Sequence, residues 1–151
     1  MSQSNPIKLF VCHAWQEEDD YLRVFEYLES DSNFYYQNYS APERMPSSGE
    51  KEAVREELRK QIGQVEVVIA LAGMARKHND LLLFQLNFAK ACDKPVVLLE
   101  NYGVKEPVAK ILRDLADEAI EWDKRSLIDA IRRQARHEET TRWDTIEFKL
   151  D

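Results

Sequence analysis

The chain has 151 residues, 44% hydrophobic and 32% charged, a balance that fits one globular domain and excludes a disordered chain. Its formal net charge of −7 excludes a surface built to neutralise phosphate backbones, so nucleic acid is not an expected partner. No apolar run approaches the ~20 residues of a membrane span, and residues 1–6 lack the basic and apolar stretches of a signal peptide, so a soluble, cytoplasmic protein without a membrane partner is expected.

Residues 7–12 (IKLFVC) read as a strand that gives way at His13-Ala14-Trp15 to the acidic run Glu17-Glu18-Asp19-Asp20. Acidic side chains suit the positive end of a helix dipole, and Tyr21, Val24, Phe25 and Leu28 then recur at helical spacing. A short aromatic strand at residues 34–38 (FYYQN) is followed by a Pro- and Ser-rich loop to about Gly49, long enough to suggest a function. Val54, Leu58 and Ile62 mark an amphipathic helix over 50–64, and residues 65–71 (VEVVIAL) form a strand that exits at Gly73. Asn79-Asp80 are placed to cap a helix from Leu81 to about Cys92, before the strand at residues 95–99 (PVVLL). A helix over 106–115 is expected to turn Val108, Ile111, Leu112 and Leu115 inward, with Pro107 in its first turn. A weak strand at 118–120 and a helix over 123–136 complete the core. The tail from Glu138 alternates Ile146, Phe148 and Leu150 and offers Trp143 as an anchor, so it is expected to pack on the same domain. Cys12 and Cys92 are too few for a disulfide framework, which fits a reducing compartment.

Five apolar strands alternating with helices describe an α/β fold. The natural architecture is a flavodoxin-like three-layer sandwich around a parallel sheet of order 2-1-3-4-5, with a core at about 7–137 and an extension at about 138–151. Ligands in such sheets bind beyond the strand carboxyl ends. The residues there include His13 and Trp15, then Asn38, Tyr39 and Ser40, then Gly73 and Met74, then Tyr102 and Trp122. Aromatic faces, amides and hydroxyls of this kind suit a nucleotide, and they equally suit a rim that closes the sheet.

Several chemistries lack their motifs. There is no GxGxxG fingerprint and no GxxxxGK[ST] loop, which disfavours a Rossmann dehydrogenase or a P-loop NTPase. His13, His78 and His137 are isolated and no CxxC occurs, so no metal site is expected. A receiver domain would carry acids after the first and third strands, where this chain has Cys12-His13 and Leu71-Ala72.

The segments FVCHAW, DDYLRVFEYLES, FYYQNYSAPE, VEVVIALAGM, KACDKPVVLLE and EAIEWDKRSLIDAIR, in this order from about Lys8 to Arg136, resemble the TIR-like domain of Thoeris ThsB proteins. The resemblance implies a TIR-like, flavodoxin-like fold and a role in bacterial anti-phage defence. It further implies cleavage of NAD+ between nicotinamide and ribose to make a cyclic or conjugated ADP-ribose signal, which diffuses to a separate effector protein. NAD+ is then a substrate or ligand and no cofactor is implied, while TIR domains also self-associate. Cleavage passes through an oxocarbenium-like transition state, which a nearby carboxylate stabilises. In the family a glutamate on the helix after the third strand supplies it. Here Gln85 occupies that position, within the stretch DLLLFQLNFA, and Leu81 stands where an aromatic residue is expected. An amide cannot supply the charge, and losing one aimed electrostatic group costs about 3–4 kcal/mol, so the chain is expected to be a weak or inactive enzyme. The alternative is a non-catalytic nucleotide-binding or assembly module. Gln85 reads either as an introduced amide or as natural divergence, and Leu81 favours divergence. By the same match, His13, Trp15, Asn38, Tyr39, Ser40 and Met74 are the expected substrate-binding residues.

Overall fold

In the computed structural model, which describes residues 3–103 and 107–138, five parallel strands form one sheet in the order β2-β1-β3-β4-β5. The strands are β1 (Ile7–Val11), β2 (Tyr36–Asn38), β3 (Val67–Leu71), β4 (Val96–Leu99) and β5 (Glu118–Ile120). Between them run α1 (Asp19–Glu29), α2 (Lys51–Ile62), α3 (Ala75–Ala91) and α4 (Lys110–Leu115), and α5 (Lys124–Arg136) follows β5. The fold class and strand order therefore agree with the sequence reading. The predicted tail, with Trp143, Ile146, Phe148 and Leu150, lies outside the described residues.

The sheet's interior follows from its sequence. Every residue of β3 (VVIAL) and β4 (VVLL) is buried, as expected of central strands covered on both faces, whereas the edge strands β2 and β5 are short and partly exposed. α1 packs beside α5, and α3 lies between α2 and α4, which gives the two helical layers. Ion pairs fasten the last turn of α5. Arg133 Nη2 donates to Glu118 Oε1 on β5 at 2.8 Å, and Arg136 pairs with Glu66 just ahead of β3. Asp123 caps α5 by accepting from the Ser126 N–H at 2.8 Å.

Two helices depart from expectation. α3 begins at Ala75, not after an Asn79-Asp80 cap, because a 3-10 turn (Ala72–Met74) leads the chain directly into helical backbone. The helix is interrupted once, at His78 (φ −132°, ψ 42°), so Asp80 lies inside it. α4 begins only at Lys110, because Ala109 is extended (ψ 141°) and Pro107 lies ahead of the first turn. The later start turns Ile111 outward, 52% exposed, and leaves Leu112 as the buried residue of α4; Glu106 lies outside the described residues.

Candidate functional site

The strand order reverses between β1 and β3, and a cleft of about 650 Å³ opens there at the strand carboxyl ends. Its floor is Cys12, His13 and Ala14 after β1, with Leu71 at the end of β3. One wall comes from the start of α1, with Glu18, Asp19, Asp20 and Tyr21; the other comes from the segment after β3, with Gly73, Met74, Arg76, Lys77 and His78. The walls carry opposite charge, and His78 Nε2 lies 3.3 Å from Glu18 Oε2 across the cleft. Gly73 allows Asp20 a close approach, since a Cβ on Gly73 would stand 2.8 Å from Asp20 Oδ2.

Below this cleft, Gln85 is fully buried on α3, and its side-chain amide pairs with the backbone of His13. The His13 N–H donates to Gln85 Oε1 at 3.1 Å, and Gln85 Nε2 donates to the His13 carbonyl at 2.8 Å and to the Leu81 carbonyl at 3.1 Å. This geometry fixes the amide's orientation, because a flipped amide would place its oxygen against two carbonyl oxygens. A carboxylate could accept the first bond and make neither of the others. Gln85 does not line the cleft.

The ring of His13 is equally engaged. Its Nδ1 accepts from the Trp15 N–H at 3.2 Å, which leaves the proton on Nε2, 3.0 Å from Gln61 Oε1. Burial lowers the His13 pKa, opposed by the hydrogen bond to Gln61 and the charge of Glu43. Trp15 stands edge-on to this ring, with centroids 4.8 Å apart. It adopts left-handed backbone (φ 65°), which costs a non-glycine residue about 1–2 kcal/mol, and its buried Nε1 has no partner among the described residues. Strain and an orphaned donor together mark this turn as more than a connection.

Asn38 and Ser40 form a second polar group at the end of β2. Asn38 Oδ1 accepts from the Ser40 N–H at 2.9 Å and from Ser40 Oγ, while Asn38 Nδ2 donates to the Tyr21 hydroxyl at 3.3 Å. The Tyr21 hydroxyl then lies 2.9 Å from Ser40 Oγ, which closes a ring of hydrogen bonds. Burial raises the Tyr21 pKa, so the hydroxyl stays protonated and can donate. Tyr39 is turned away, its hydroxyl donating to Gln37 Oε1 at 3.3 Å on its own strand.

The structure thus brings His13, Trp15 and Gln85 together, places His13 and Met74 on the cleft, and joins Asn38 and Ser40 to it through Tyr21. It does not bring Trp15, Asn38, Tyr39, Ser40 or Gln85 onto the cleft lining. The sequence reading missed Gln61, Tyr21 and the charged walls. Gln61 had a legible signal, a polar residue three positions after Leu58 and next to Ile62 on the inward face of α2. Among the described residues no three His, Cys, Asp or Glu side chains are grouped to hold a metal ion, and no helix is long and apolar enough to cross a membrane.

A search of curated proteins returned no match. A family model described as "Thoeris protein ThsB, TIR-like domain" matches residues 10–105, from β1 to the segment after β4, well over half of the chain. The matched span contains the whole cleft as well as His13, Gln61 and Gln85. With a parallel sheet of order 2-1-3-4-5 beneath it, the chain belongs to the TIR-like domain family of the Thoeris protein ThsB, a family of anti-phage defence.

Proposed function

We propose that this chain acts in anti-phage defence by holding an NAD+ or ADP-ribose-type dinucleotide in the cleft between β1 and β3 without cleaving its nicotinamide–ribose bond. The cleft's place at the strand-order reversal and its volume of about 650 Å³ suit a nucleotide. Its opposed walls suit a ligand with both signs of charge. The diphosphate would face Arg76 and Lys77, and the cationic nicotinamide ring would face Glu18, Asp19 and Asp20. His13 and Met74 lie on the cleft surface, with Trp15 behind His13 and the Asn38–Ser40 group behind Tyr21. The output would reach a separate effector, either as a small diffusible signal or through self-association of the TIR-like domain.

The observation that carries this reading is Gln85. The position given to an acid in the family holds an amide whose two ends are both spent on backbone groups, so the residue contributes neither charge nor access to the ligand. A second reading, weak NAD+ cleavage, draws on the acidic wall, whose carboxylates could supply the missing anion. One experiment separates them. NAD+ is titrated into the protein by calorimetry, and a parallel incubation is assayed for nicotinamide and ADP-ribose products by mass. Binding without products is expected; products above the buffer control establish the second reading, and the absence of both binding and products removes the proposal.

A further inference from the structure

The described residues include four buried polar side chains, His13, Ser40, Gln61 and Gln85, and all four gather at the carboxyl ends of β1 and β2. Burying such groups is costly unless each is hydrogen-bonded, so their concentration at one end of the sheet implies a positioning task there. Gln85 anchors the turn after β1 to α3. Gln61 does more, because its one oxygen serves two donors on two different loops. Gln61 Oε1 lies 3.0 Å from His13 Nε2 in the turn after β1 and accepts from the Ala41 N–H at 2.9 Å in the loop after β2. Its Nε2 donates to the Ala41 carbonyl at 3.3 Å and to Glu57 Oε2 at 3.1 Å, one helical turn earlier on α2.

We infer that Gln61 is a positioning residue of the cleft, holding His13 as the Nε2-protonated tautomer and tying the loop after β2 to the turn after β1 so that the two respond together. Two consequences follow from the geometry. His13 lines the cleft but has no free nitrogen to offer a ligand, since Trp15 N–H occupies Nδ1 and Gln61 occupies Nε2. The Pro- and Ser-rich segment from Ala41 to Gly49 is tied to His13 by hydrogen bonds through the Gln61 side chain, without lining the cleft. This holds whichever ligand the cleft takes.

The test uses nitrogen-15 NMR of the histidine rings at neutral pH together with amide hydrogen exchange. The unsubstituted protein should show His13 with a protonated Nε2 and a bare Nδ1; a protonated Nδ1 overturns the inference directly. Gln61→Leu, similar in volume but without an acceptor, should change the His13 ring signals and accelerate exchange at Ala41 about fivefold to tenfold relative to the β3 amides. Gln61→Glu alone would set a second carboxylate against Glu57, so the acceptor is tested as Gln61→Glu/Glu57→Gln. This pair keeps the oxygen for both donors and should retain the tautomer, which a purely space-filling role for this residue does not require. A Gln61→Leu protein with the original His13 signals and unchanged Ala41 exchange overturns the inference. Should Gln61→Leu fail to fold, the tautomer in the unsubstituted protein and in Gln61→Glu/Glu57→Gln decides it.

Discussion

Replacing Gln85 with glutamate exchanges one heavy atom, the side-chain nitrogen for an oxygen, and tests the amide clamp. In its protonated form the acid can still accept from the His13 N–H and can donate to only one of the two carbonyls that Gln85 Nε2 now serves. Donation to the His13 carbonyl is then preferred, because the Leu81 carbonyl keeps its bond from the backbone N–H of position 85 within α3, and the lost side-chain bond costs about 1 kcal/mol. Ionisation adds a second term. The carboxylate would be fully desolvated and would face both carbonyl oxygens, so its pKa rises, and buried glutamates are known to reach roughly 8–9. In the unfolded chain the group titrates near about 4.3. Keeping it protonated in the folded state then costs about 1.4 kcal/mol for each pH unit above that value, about 1 kcal/mol at pH 5 and about 5 kcal/mol at pH 8. Urea denaturation of both proteins at these two pH values should show the stability gap widening by about 4 kcal/mol toward pH 8, a large part of an ordinary domain's stability. Introducing the acid that the family resemblance implies should therefore unfold the site before it yields an enzyme, and nicotinamide release should not rise. A gap that stays constant between pH 5 and pH 8 means the carboxylate has found a solvated position, and the clamp argument fails.

His13 has a lowered pKa, so its contribution to stability is complete above the ordinary histidine value of about 6.5 and is lost as pH falls through the lower folded value; His13→Gln should flatten the acid limb of a stability profile, and an unchanged limb speaks against this assignment. Cys12 is fully buried with its thiol pKa pushed up by desolvation, whereas Cys92 is exposed, so a thiol reagent should label one cysteine quickly and the second only on unfolding. Rapid labelling of both would contradict the packing of β1. Asp93 ends α3 in left-handed backbone (φ 58°), with Lys94 N–H donating to the Ala89 carbonyl at 2.8 Å and Asp93 N–H to the Lys90 carbonyl at 3.1 Å. Asp93→Gly should stabilise the chain by about 0.5–1 kcal/mol in denaturant, and a loss of stability would show that its side chain matters more than its backbone.

Much of the fold was legible because the central strands announce themselves. The runs VVIAL and VVLL are apolar at every position, and the alternation of strands with amphipathic helices leaves few arrangements besides 2-1-3-4-5. What escaped lies where local signals mislead. Pro107 is well suited to a first helical turn, yet the backbone stays extended through Ala109, and the shift turns Ile111 to solvent. The break at His78 has no glycine or proline to advertise it.

At the site, the sequence located Gln85 and His13 separately but could not show that they meet, since their pairing spans 72 positions. That pairing changes the meaning of the substitution. Read alone, glutamine for glutamate is the loss of a charge from an otherwise intact site. In the folded chain the amide's donor end is required as well, by carbonyls of both α3 and the turn after β1, so an acid at 85 would need a different turn above it. Trp15, with its left-handed backbone and orphaned Nε1, lies in that same turn, and its N–H holds His13 Nδ1. The amide at 85, the strained Trp15 and the shared oxygen of Gln61 are therefore one coupled arrangement. A working carboxylate at this position calls for changes at all three, which is why Gln85→Glu alone is expected to fail.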